Sequence, residues 1–511
     1  MSKQRKRGLN FPTRLTVAAF LIILQIASAV WLINYLSGKT FLVYIILQII
    51  SLFLVAYIIN KRGNPNYKIA WIIFILGLPL VGAFIYLLWG SGIRLPKIRH
   101  EMEAAKRASR PLLEQNPLVE NKLNYSDMLH SRQSKYLRKD SGFPVYTDTS
   151  VEYLSPGEKF FPKLLEELRG ATDYIFMEFF ILAEGYMWDE IHKILMEKVA
   201  QGVEIRIIFD DFGSIFRQYK GFVKNLRDEG IKVTVFNPIR PSVDIFLNNR
   251  NHRKIVVIDG RVSMTGGINI GDEYINKVEH YGYWMDCAAI FRGAATKSFA
   301  IMFCQMWNCI NPHDKLDYEK YIVRVFPPCE GFVQPYADDP LGRQNPAEGL
   351  YMQILGSAQK YVYIASPYLI LDNTMLSVLC YAAKSGIDVK IITPKKWDKW
   401  YVHPVTQFYY GELLEAGVKI YEFTPGFMHS KLFVSDDRVA TIGSVNTDYR
   451  SFYFHFECGA WMCNNQAVYD IKDHFLRIIE DCEEIIPEKW AKRPIKLKIK
   501  QTILHLFAPF M

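Results

Sequence analysis

Two copies of one short motif carry the residues in this chain that could perform chemistry. Each copy reads His-x-Lys-x4-Asp. The residues are His252, Lys254 and Asp259 in the first copy and His429, Lys431 and Asp436 in the second. Seven residues after each Asp, a Gly-[Gly/Ser]-x-Asn segment begins, which ends at Asn269 or Asn446. One copy alone would be weak evidence, but two copies with the same downstream segment indicate a duplicated functional unit.

The imidazole and ammonium groups of the motif suit chemistry at phosphorus. The residues after each Lys are apolar and strand-like, so the His and the Lys lie on one face of a strand. A neutral imidazole can attack phosphorus, and a protonated one can deliver a proton to a leaving alkoxide. Lys and Asn side chains can hold the non-bridging oxygens of a phosphodiester. We therefore predict that the two copies face one another across one phosphate group, which Asn269 and Asn446 help to bind.

The aspartates of the motif have a different expected role. Asp259 and Asp436 each lie between two apolar strand-like runs, next to a second turn-forming residue, which is typical of a hairpin turn. An offset of seven residues from the His also points the Asp to the opposite strand face. Asp286 and Glu457, which follow the Asn of their own halves by unequal offsets, are the better candidates to orient the imidazoles.

No second motif is present among the other titratable residues. His280, His403 and His455 have no Lys two positions on, and we predict structural roles for them. The eight cysteines form no Cys-x-x-Cys pair and no His/Cys cluster at metal-ligand spacing. Because imidazoles can do this chemistry alone, no metal ion or other cofactor is expected.

The motifs lie in two halves with parallel patterns of strands and helices. The matched segments are 173–180 and 360–366, 187–200 and 374–385, 202–208 and 386–392, and 230–233 and 417–420. The two histidines are 177 residues apart, about the length of one domain. The sequence predicts a duplicated α/β unit in which neither half need hold a complete site.

Three apolar runs open the chain, at about 15–36, 41–59 and 69–88. Each approaches the roughly 20 residues that a transmembrane helix needs, and a signal peptide would explain only the first. Basic clusters precede the first run and follow the third, which three full spans could not place on one side. The third run contains Pro79 and two glycines, which favour a kinked or re-entrant element. We expect a multi-pass membrane protein with two spans, one partial insertion and a cytoplasmic catalytic part.

These patterns divide the chain into five predicted regions. They are hydrophobic segments at 1–92, a juxtamembrane linker at 93–144, halves at 145–330 and 331–490, and a basic amphipathic tail at 491–511. The formal charge of +9 favours an acidic partner, either a nucleic acid or an anionic membrane surface. The tail could lie on such a surface or pack on its own domain.

On these residues the chain resembles the phospholipase D superfamily, whose signature is this duplicated motif with Gly-[Gly/Ser]-x-Asn after it. It is similar to the bacterial cardiolipin synthases in three segments, 64–71 with the Leu-Pro-Leu run behind it, 250–254 and 265–274. The resemblance implies two pseudo-symmetric phospholipase D-like α/β sandwich halves with mixed sheets, preceded by N-terminal transmembrane helices. It places the protein in a bacterial cell membrane.

The resemblance also implies an activity and roles for the residues. A phosphatidyl group would pass between two phosphatidylglycerol molecules, giving cardiolipin and glycerol. His252 would form a phosphohistidine, and His429 would protonate the departing glycerol and then deprotonate the incoming hydroxyl, although the near-symmetry of the copies leaves this order open. Family convention counts Asp259 and Asp436 as catalytic. Ser444, whose counterpart in the first half is a Gly, would offer phosphate a hydroxyl from one side only.

Three alternatives share parts of this pattern. A hydrolytic phospholipase D has the same residues and differs in admitting water. A nuclease of the superfamily would suit the positive charge, but it does not need apolar N-terminal runs, so no nucleic-acid partner is expected. A catalytically silent membrane scaffold would not need an intact His and Lys in both halves.

Overall fold

The computed structural model describes residues 27, 41–61, 63–90, 96–239, 249–323, 326–342 and 345–511. The apolar run predicted at about 15–36 lies outside the described residues except for Ala27. The domain boundaries given above stay predictions.

The described N-terminal part is helical. Its helices are Phe41–Asn60, whose side chains are described from Ile46 onward, Pro65–Gly77 and Pro79–Ile85, followed by a π-helical turn at Tyr86–Gly90. The third apolar run is therefore interrupted at Leu78, whose backbone is not helical (φ −135°, ψ 76°) because Pro79 follows it. No helix in the part of the chain that the structure describes is long and apolar enough to cross a membrane.

The rest of the chain alternates strands and helices. The first-half strands are β1 (Thr149–Leu154), β2 (Tyr174–Phe179), β3 (Glu204–Asp210), β4 (Lys232–Phe236), β5 (Arg250–Asn251), β6 (Ile255–Ile258), β7 (Val262–Gly266), β8 (Tyr283–Met285) and β9 (Ala288–Gly293). The second-half strands are β10 (Phe332–Asp338), β11 (Tyr361–Ala365), β12 (Asp388–Pro394), β13 (Lys419–Phe423), β14 (Gly426–Met428), β15 (Leu432–Ser435), β16 (Val439–Gly443), β17 (His455–Cys463) and β18 (Cys482–Glu484).

The strands form two mixed sheets with the same order of strands. The first sheet runs β1-β9-β7-β6-β2-β3-β4, and the second runs β10-β17-β16-β15-β11-β12-β13-β18. β2, β3 and β4 are parallel, as are β11, β12 and β13, and the other neighbours in each sheet are antiparallel. The predicted α/β fold with mixed sheets is confirmed.

Helices cover these sheets. Before the first half come Pro96–Ser109, Pro117–Ser126 and Met128–Asp140, with a 3-10 turn at Arg110–Leu113. The first half contains Gly157–Gly170, Tyr186–Ala200, Asp211–Ser214, Phe222–Asp228 and Thr296–Ile310, with 3-10 turns at Asp272–Ile275 and Tyr318–Tyr321. The second contains Pro346–Ser357, Asn373–Lys384, His403–Phe408, Tyr410–Glu415, Tyr449–Tyr453 and Gln466–Glu480, followed by Pro487–Ala491, Ile495–His505 and a 3-10 turn at Ala508–Phe510.

One apolar core joins the two sheets. The helix Thr296–Ile310 lies on the first sheet, where Phe303 stacks on Phe176 of β2 with ring centroids 4.3 Å apart. The helix Gln466–Glu480 lies on the second sheet in the same way, where Phe475 stacks on Tyr363 of β11 with ring centroids 5.0 Å apart. Side chains of both helices and both sheets belong to one buried cluster, which also includes Met102 of the predicted linker. The core therefore holds the two motif-bearing hairpins at fixed positions.

Candidate active site

Two short parallel pairings between the halves position the motif histidines. β5, directly before His252, pairs with β17 of the second half, and the His252 N–H donates to Phe456 O at 2.9 Å. β14, directly before His429, pairs with β8 of the first half, and the His429 N–H donates to Met285 O at 2.7 Å. The residue that follows each paired segment of the other half therefore lies beside the histidine. It is Glu457 beside His252 and Asp286 beside His429.

The carboxylates that hold the histidines are exchanged between the halves. Nδ1 of His252 lies 2.9 and 3.0 Å from the two oxygens of Glu457, and Nδ1 of His429 lies 2.6 Å from Oδ2 of Asp286. Both carboxylates are fully buried. The sequence singled out these two residues by their position within each half, and it did not predict that each serves the other half. We assign the imidazole proton to Nδ1, which leaves Nε2 free to react.

Each motif lysine bonds to the backbone of the histidine in its own motif. Lys254 Nζ donates to the carbonyl oxygen of His252 at 2.7 Å, and Lys431 Nζ donates to that of His429. Burial lowers the pKa of Lys254 to about 7 and that of Lys431 to about 8. Their ammonium groups are thus close to deprotonation at neutral pH, and a bound anion would stabilise them.

The histidines differ from the sequence-based expectation of groups that titrate near neutral pH. Burial and then the charges of Lys254 and Lys431 lower the pKa of His252 well below its usual value. Burial and Lys431 lower the pKa of His429 to about 4, against the opposing effect of Asp286. Both imidazoles are therefore neutral at pH 7 before substrate binds, as a nucleophile must be.

The lysines predict the alkaline limb of the pH profile. Their charge is present below their pKa values and is lost as the pH rises through them, so kcat/KM should fall above about pH 7–8. The alkaline fall of kcat should occur at a higher pH than that of kcat/KM, because the bound phosphodiester stabilises the ammonium groups. Lys254→Arg, if active, should move the kcat/KM limb upward, with Lys106→Arg as control. A kcat/KM that stays flat to pH 10 would contradict this assignment.

The Gly/Ser difference between the two copies is explained by the two carboxylates. The Ser444 hydroxyl donates to Oε2 of Glu457 and accepts from the Cys458 N–H at 3.0 Å. At Gly267, a Cβ would lie 2.1 Å from Oδ1 of Asp286. The Ser444 hydroxyl is therefore used in holding Glu457, whereas the predicted role was a contact to phosphate. We propose that Ser444 positions Glu457 and does not bind substrate.

The two asparagines are not equivalent. Asn269 accepts from the Ile181 N–H at 3.0 Å and donates to the Tyr274 hydroxyl at 2.8 Å. Asn446 keeps its Oδ1 buried without a hydrogen-bond partner among the described residues. The orientation of an amide side chain is fixed by its hydrogen-bond partners. Because Oδ1 of Asn446 has none in the described part of the chain, this side chain can turn its NH₂ toward an anion. Phosphate binding stays a prediction for both residues, and the geometry favours Asn446.

The motif aspartates bind backbone amides at the start of a neighbouring strand. Asp259 accepts from the N–H groups of Thr172, Asp173 and Tyr174 at 2.8–2.9 Å. Asp436 accepts from the three corresponding N–H groups before and at the start of β11, at 2.7–2.9 Å. Both aspartates have positive φ values, 53° and 57°, as hairpin turns require. We propose that they hold the turns, although family convention counts them as catalytic.

This role can be separated from catalysis. Asp259→Ala should lower the free energy of unfolding by about 1–3 kcal/mol, because it leaves several N–H groups without their acceptor. The kcat of the folded fraction should be unchanged. Thermal unfolding and steady-state kinetics measure the two effects, and the exposed Asp173→Ala is the control. A loss of kcat without a loss of stability would show that Asp259 acts in the reaction.

Several site residues were not found from the sequence. His455, predicted to be structural, has its ring centroid 5.5 Å from that of His252. Trp284 lies 5.0 Å from His429 by the same measure, and Phe180 lies 5.0 Å from His252. His455 and Trp284 both precede their carboxylates by two positions, and this spacing was the available signal.

Metal-ligating atoms come close together at two places among the described residues. One group is Asp127, His130 and Cys463, and the other is His252, His455 and Glu457. In the first, Asp127 already binds the His130 ring at 2.7 Å, and burial raises the pKa of the Cys463 thiol well above its usual value. That thiol is therefore a poor ligand. The second group lies within the candidate active site.

Family comparisons match this arrangement. The model described as "Cardiolipin synthase, PLD-like domain" matches residues 164–305 and 351–479, the regions that contain the two motifs. The model described as "Phospholipase_D-nuclease N-terminal" matches residues 49–91. The solved phosphatidylserine synthase of Haemophilus influenzae Rd KW20 is similar in fold, with a TM-score of 0.53 at 14% identity, covering 73% of this chain and 99% of that one.

Two α/β halves that share one site of paired histidines and lysines define a protein of the phospholipase D class. An uncharacterized protein of Streptococcus mutans is 38% identical over 89% of this chain and 99% of its own length. A cardiolipin synthase of Geobacillus sp. is 32% identical over 98% of this chain and 100% of its own length. The chain belongs to the cardiolipin synthase family of the phospholipase D superfamily.

Proposed function

We propose that the protein transfers a phosphatidyl group between two phosphatidylglycerol molecules, giving cardiolipin and glycerol. The observation that carries this proposal is the shared site. Two neutral imidazoles, His252 and His429, are each held at Nδ1 by a carboxylate of the other half, beside two buried lysines. Such a site can form and break a bond to phosphorus with proton transfer at one end. The names of the relatives supply the product, cardiolipin.

In the first step, Nε2 of His252 attacks the phosphorus of one phosphatidylglycerol. The bond from phosphorus to the glycerol oxygen breaks, and His429, which has taken up a proton as the anionic phosphodiester binds, gives that proton to the oxygen. In the second step, His429 takes a proton from a hydroxyl of another phosphatidylglycerol. The freed oxygen attacks the phosphohistidine, and the nitrogen–phosphorus bond breaks. Lys254 and Lys431 offset the charge on the phosphoryl oxygens in both steps.

The surroundings of the two histidines support this order. Burial and the charge of Lys254 lower the pKa of His252 well below its usual value, so this ring stays neutral as a nucleophile must. Glu457 also accepts a hydrogen bond from Ser444. This bond weakens the attraction of the carboxylate for the proton that would turn His252 into an imidazolium. His429 has the shorter contact to its carboxylate, 2.6 Å, which stabilises the imidazolium. The anionic phosphodiester raises the pKa of His429 on binding, so His429 can act as the acid.

The product separates this activity from hydrolysis. The detergent-purified protein is given phosphatidylglycerol without any nucleotide, and the lipids are identified by mass spectrometry. Cardiolipin and glycerol in equal amounts are expected. Phosphatidic acid as the main product would mean that water is the acceptor. No lipid change in a folded preparation would overturn the proposal.

We also propose that the protein is a multi-pass protein of a bacterial cell membrane, with its catalytic part on the cytoplasmic side. The helix Phe41–Asn60 exposes Ile49, Leu52, Phe53 and other large apolar side chains. Asn66, in the first turn of the helix Pro65–Gly77, donates to the Tyr449 hydroxyl at 2.8 Å, which ties the N-terminal helices to the second half. Protease added outside intact cells should leave the catalytic part uncut, and digestion there would contradict this topology.

The C-terminal tail supports contact with an anionic lipid surface. The helix Ile495–His505 packs on the second half, where His505 stacks on Phe408 with ring centroids 3.9 Å apart. The same helix exposes Ile495, Ile499 and Ile503, which share one face and have lysines around them. The tail therefore packs on its own domain, and it also presents an apolar face with basic residues around it. We propose that this face enters the head-group region.

This proposal predicts a surface effect on activity. Ile499→Asp with Ile503→Asp should raise the KM for phosphatidylglycerol in mixed micelles about tenfold or more, because two apolar side chains no longer enter the lipid. kcat at a saturating lipid fraction should be nearly unchanged. Tyr125→Asp replaces an aromatic residue that is 97% exposed elsewhere and is the matched control. An unchanged KM in the double variant would contradict the docking of the tail.

A further inference from the structure

Glu457 faces two histidines, and one of them has an unused nitrogen. Its Oε1 lies 2.9 Å from Nδ1 of His252 and 3.6 Å from Nδ1 of His455, while Oε2 accepts from Ser444. Nδ1 of His455 is buried and has no hydrogen-bond partner among the described residues. On the other side of the ring, Nε2 accepts from the Nε–H of Arg450 at 3.4 Å. The ring proton is therefore on Nδ1, and a metal ion there would displace this proton to Nε2 at the loss of the Arg450 hydrogen bond. A buried polar atom without a partner is costly, and here it points toward a carboxylate and a second imidazole.

We propose that His252, His455 and Glu457 form an inhibitory site for Zn²⁺ or a similar transition-metal ion. Their ligand atoms all lie within 4.8 Å of one another. Ligand atoms of a tetrahedral zinc site, each about 2.0–2.1 Å from the ion, are about 3.3 Å apart. The two contacts to Oε1, 2.9 and 3.6 Å, lie on either side of that spacing. A water molecule or a phosphate oxygen would complete the coordination.

The residue types select the ion. Two imidazoles and one carboxylate suit Zn²⁺ or Co²⁺, whereas Mg²⁺ and Ca²⁺ prefer oxygen ligands. Lys254 and Arg450 place positive charge nearby, which weakens binding of any ion held by charge alone. Directional bonds from imidazole nitrogens are less dependent on net charge, so the site should discriminate strongly against Mg²⁺ and Ca²⁺.

Only one of the two motif histidines can bind a metal ion in this way. The position equivalent to His455, two residues before the carboxylate, is Trp284 in the first half. Its indole lies against His429 and provides no metal ligand. The ion would therefore bind at His252, which the proposed function makes the nucleophile.

Binding would stop the reaction by moving one proton. In the free site the His252 proton is on Nδ1 and the lone pair of Nε2 is available. A metal ion at Nδ1 takes the lone pair there, so the proton of the neutral ring must be on Nε2. Nε2 then has no lone pair for phosphorus until the ion leaves. The inhibitory effect rests on the proposed function, whereas the metal site itself does not.

The test measures metal binding separately from activity. Full-length protein in lipid-free detergent, treated with a chelator and dialysed, is titrated with Co²⁺ while its visible absorption is recorded. One equivalent should give the intense bands of a four-coordinate site, and Zn²⁺ should abolish them. His455→Gln keeps a polar group toward Arg450 and removes Nδ1, so it should lower Co²⁺ affinity by about 100-fold or more. His280→Gln, at an exposed histidine, should bind as the wild type does.

Inhibition is then measured in each variant relative to its own metal-free rate. Zn²⁺ should inhibit the wild type and His280→Gln at concentrations at least about 100-fold lower than those needed for His455→Gln. Unchanged Co²⁺ bands in His455→Gln, or no bands in the wild type, would overturn the site. Binding without inhibition would overturn the inhibitory role. If His455→Gln does not fold, Glu457→Gln must lower Co²⁺ affinity instead. The lipid product of the metal-free enzyme tests the proposed function independently.

Discussion

Alanine in place of His252 or His429 is expected to reduce cardiolipin formation by about 10⁴-fold or more. His252→Ala removes the atom that bonds to phosphorus, and His429→Ala removes the group that exchanges protons with both alcohols. The double variant should be little slower than either single variant, because the two residues act in one reaction. The rates are measured from cardiolipin released into mixed micelles.

Two controls make this result specific. His280→Ala removes an exposed histidine and should keep the wild-type rate. Retained binding of phosphatidylglycerol by His252→Ala and His429→Ala would show that the lipid-binding surface is intact. If the two single losses multiply in the double variant, the histidines act independently and the shared-site account is wrong.

Glu457→Gln and Asp286→Asn are expected to lower kcat by about 10²–10⁴-fold each. An amide can present its NH₂ to Nδ1, which would favour the ring proton on Nε2. His252 would then lose its nucleophilic lone pair, and His429 would lose the charge that stabilises its imidazolium. Asp259→Asn, which changes a motif carboxylate of the same size, should change kcat by less than about threefold if it acts only through the turn.

The exchange of carboxylates gives this prediction a second readout. His429 becomes harder to protonate when Asp286, on the other half, loses its charge, so the acid-requiring step should slow most in Asp286→Asn. A substrate with a better leaving group than glycerol needs less protonation. It should therefore restore more activity to Asp286→Asn than to Glu457→Gln. Equal restoration would contradict the assignment of His429 as the acid.

The fold could be predicted in outline because its signals are local. The duplicated pattern of buried strands and amphipathic helices predicted two α/β halves, and the family resemblance implied mixed sheets. The structure has two mixed sheets with the same strand order. The hairpin at Asp259 was also predictable, since an Asp-Gly pair between two apolar strands favours a tight turn, and Asp259 has the positive φ that such a turn needs.

The site could be predicted only in part because its contacts are not local. The sequence indicated that Asp286 and Glu457 hold the histidines, but the pairing of β5 with β17 and of β14 with β8 decides which carboxylate each receives. These pairings involve two or three residues and leave no pattern in the chain. The position of His455 beside His252 was not predicted for the same reason, since a lone histidine in an apolar strand resembles a structural one.

The lowered pKa values were also beyond the sequence. A histidine beside a carboxylate would ordinarily be expected to titrate at or above its usual pKa. Burial outweighs that attraction at His252 and His429, and two buried lysines add to the effect. Only the packed structure shows that these four groups share one enclosed site.

The most direct measurement of the central claim is the location of the covalent intermediate. The enzyme is mixed with phosphatidylglycerol labelled with ³²P, quenched in alkali within milliseconds, and digested for peptide mapping, since phosphohistidine survives alkali and is lost in acid. We expect label on the peptide that contains His252, absent in His252→Ala and depleted by a chase of unlabelled phosphatidylglycerol. Label on the His429 peptide would reverse the roles of the two halves. Cardiolipin formation without any labelled histidine would contradict the shared-site mechanism.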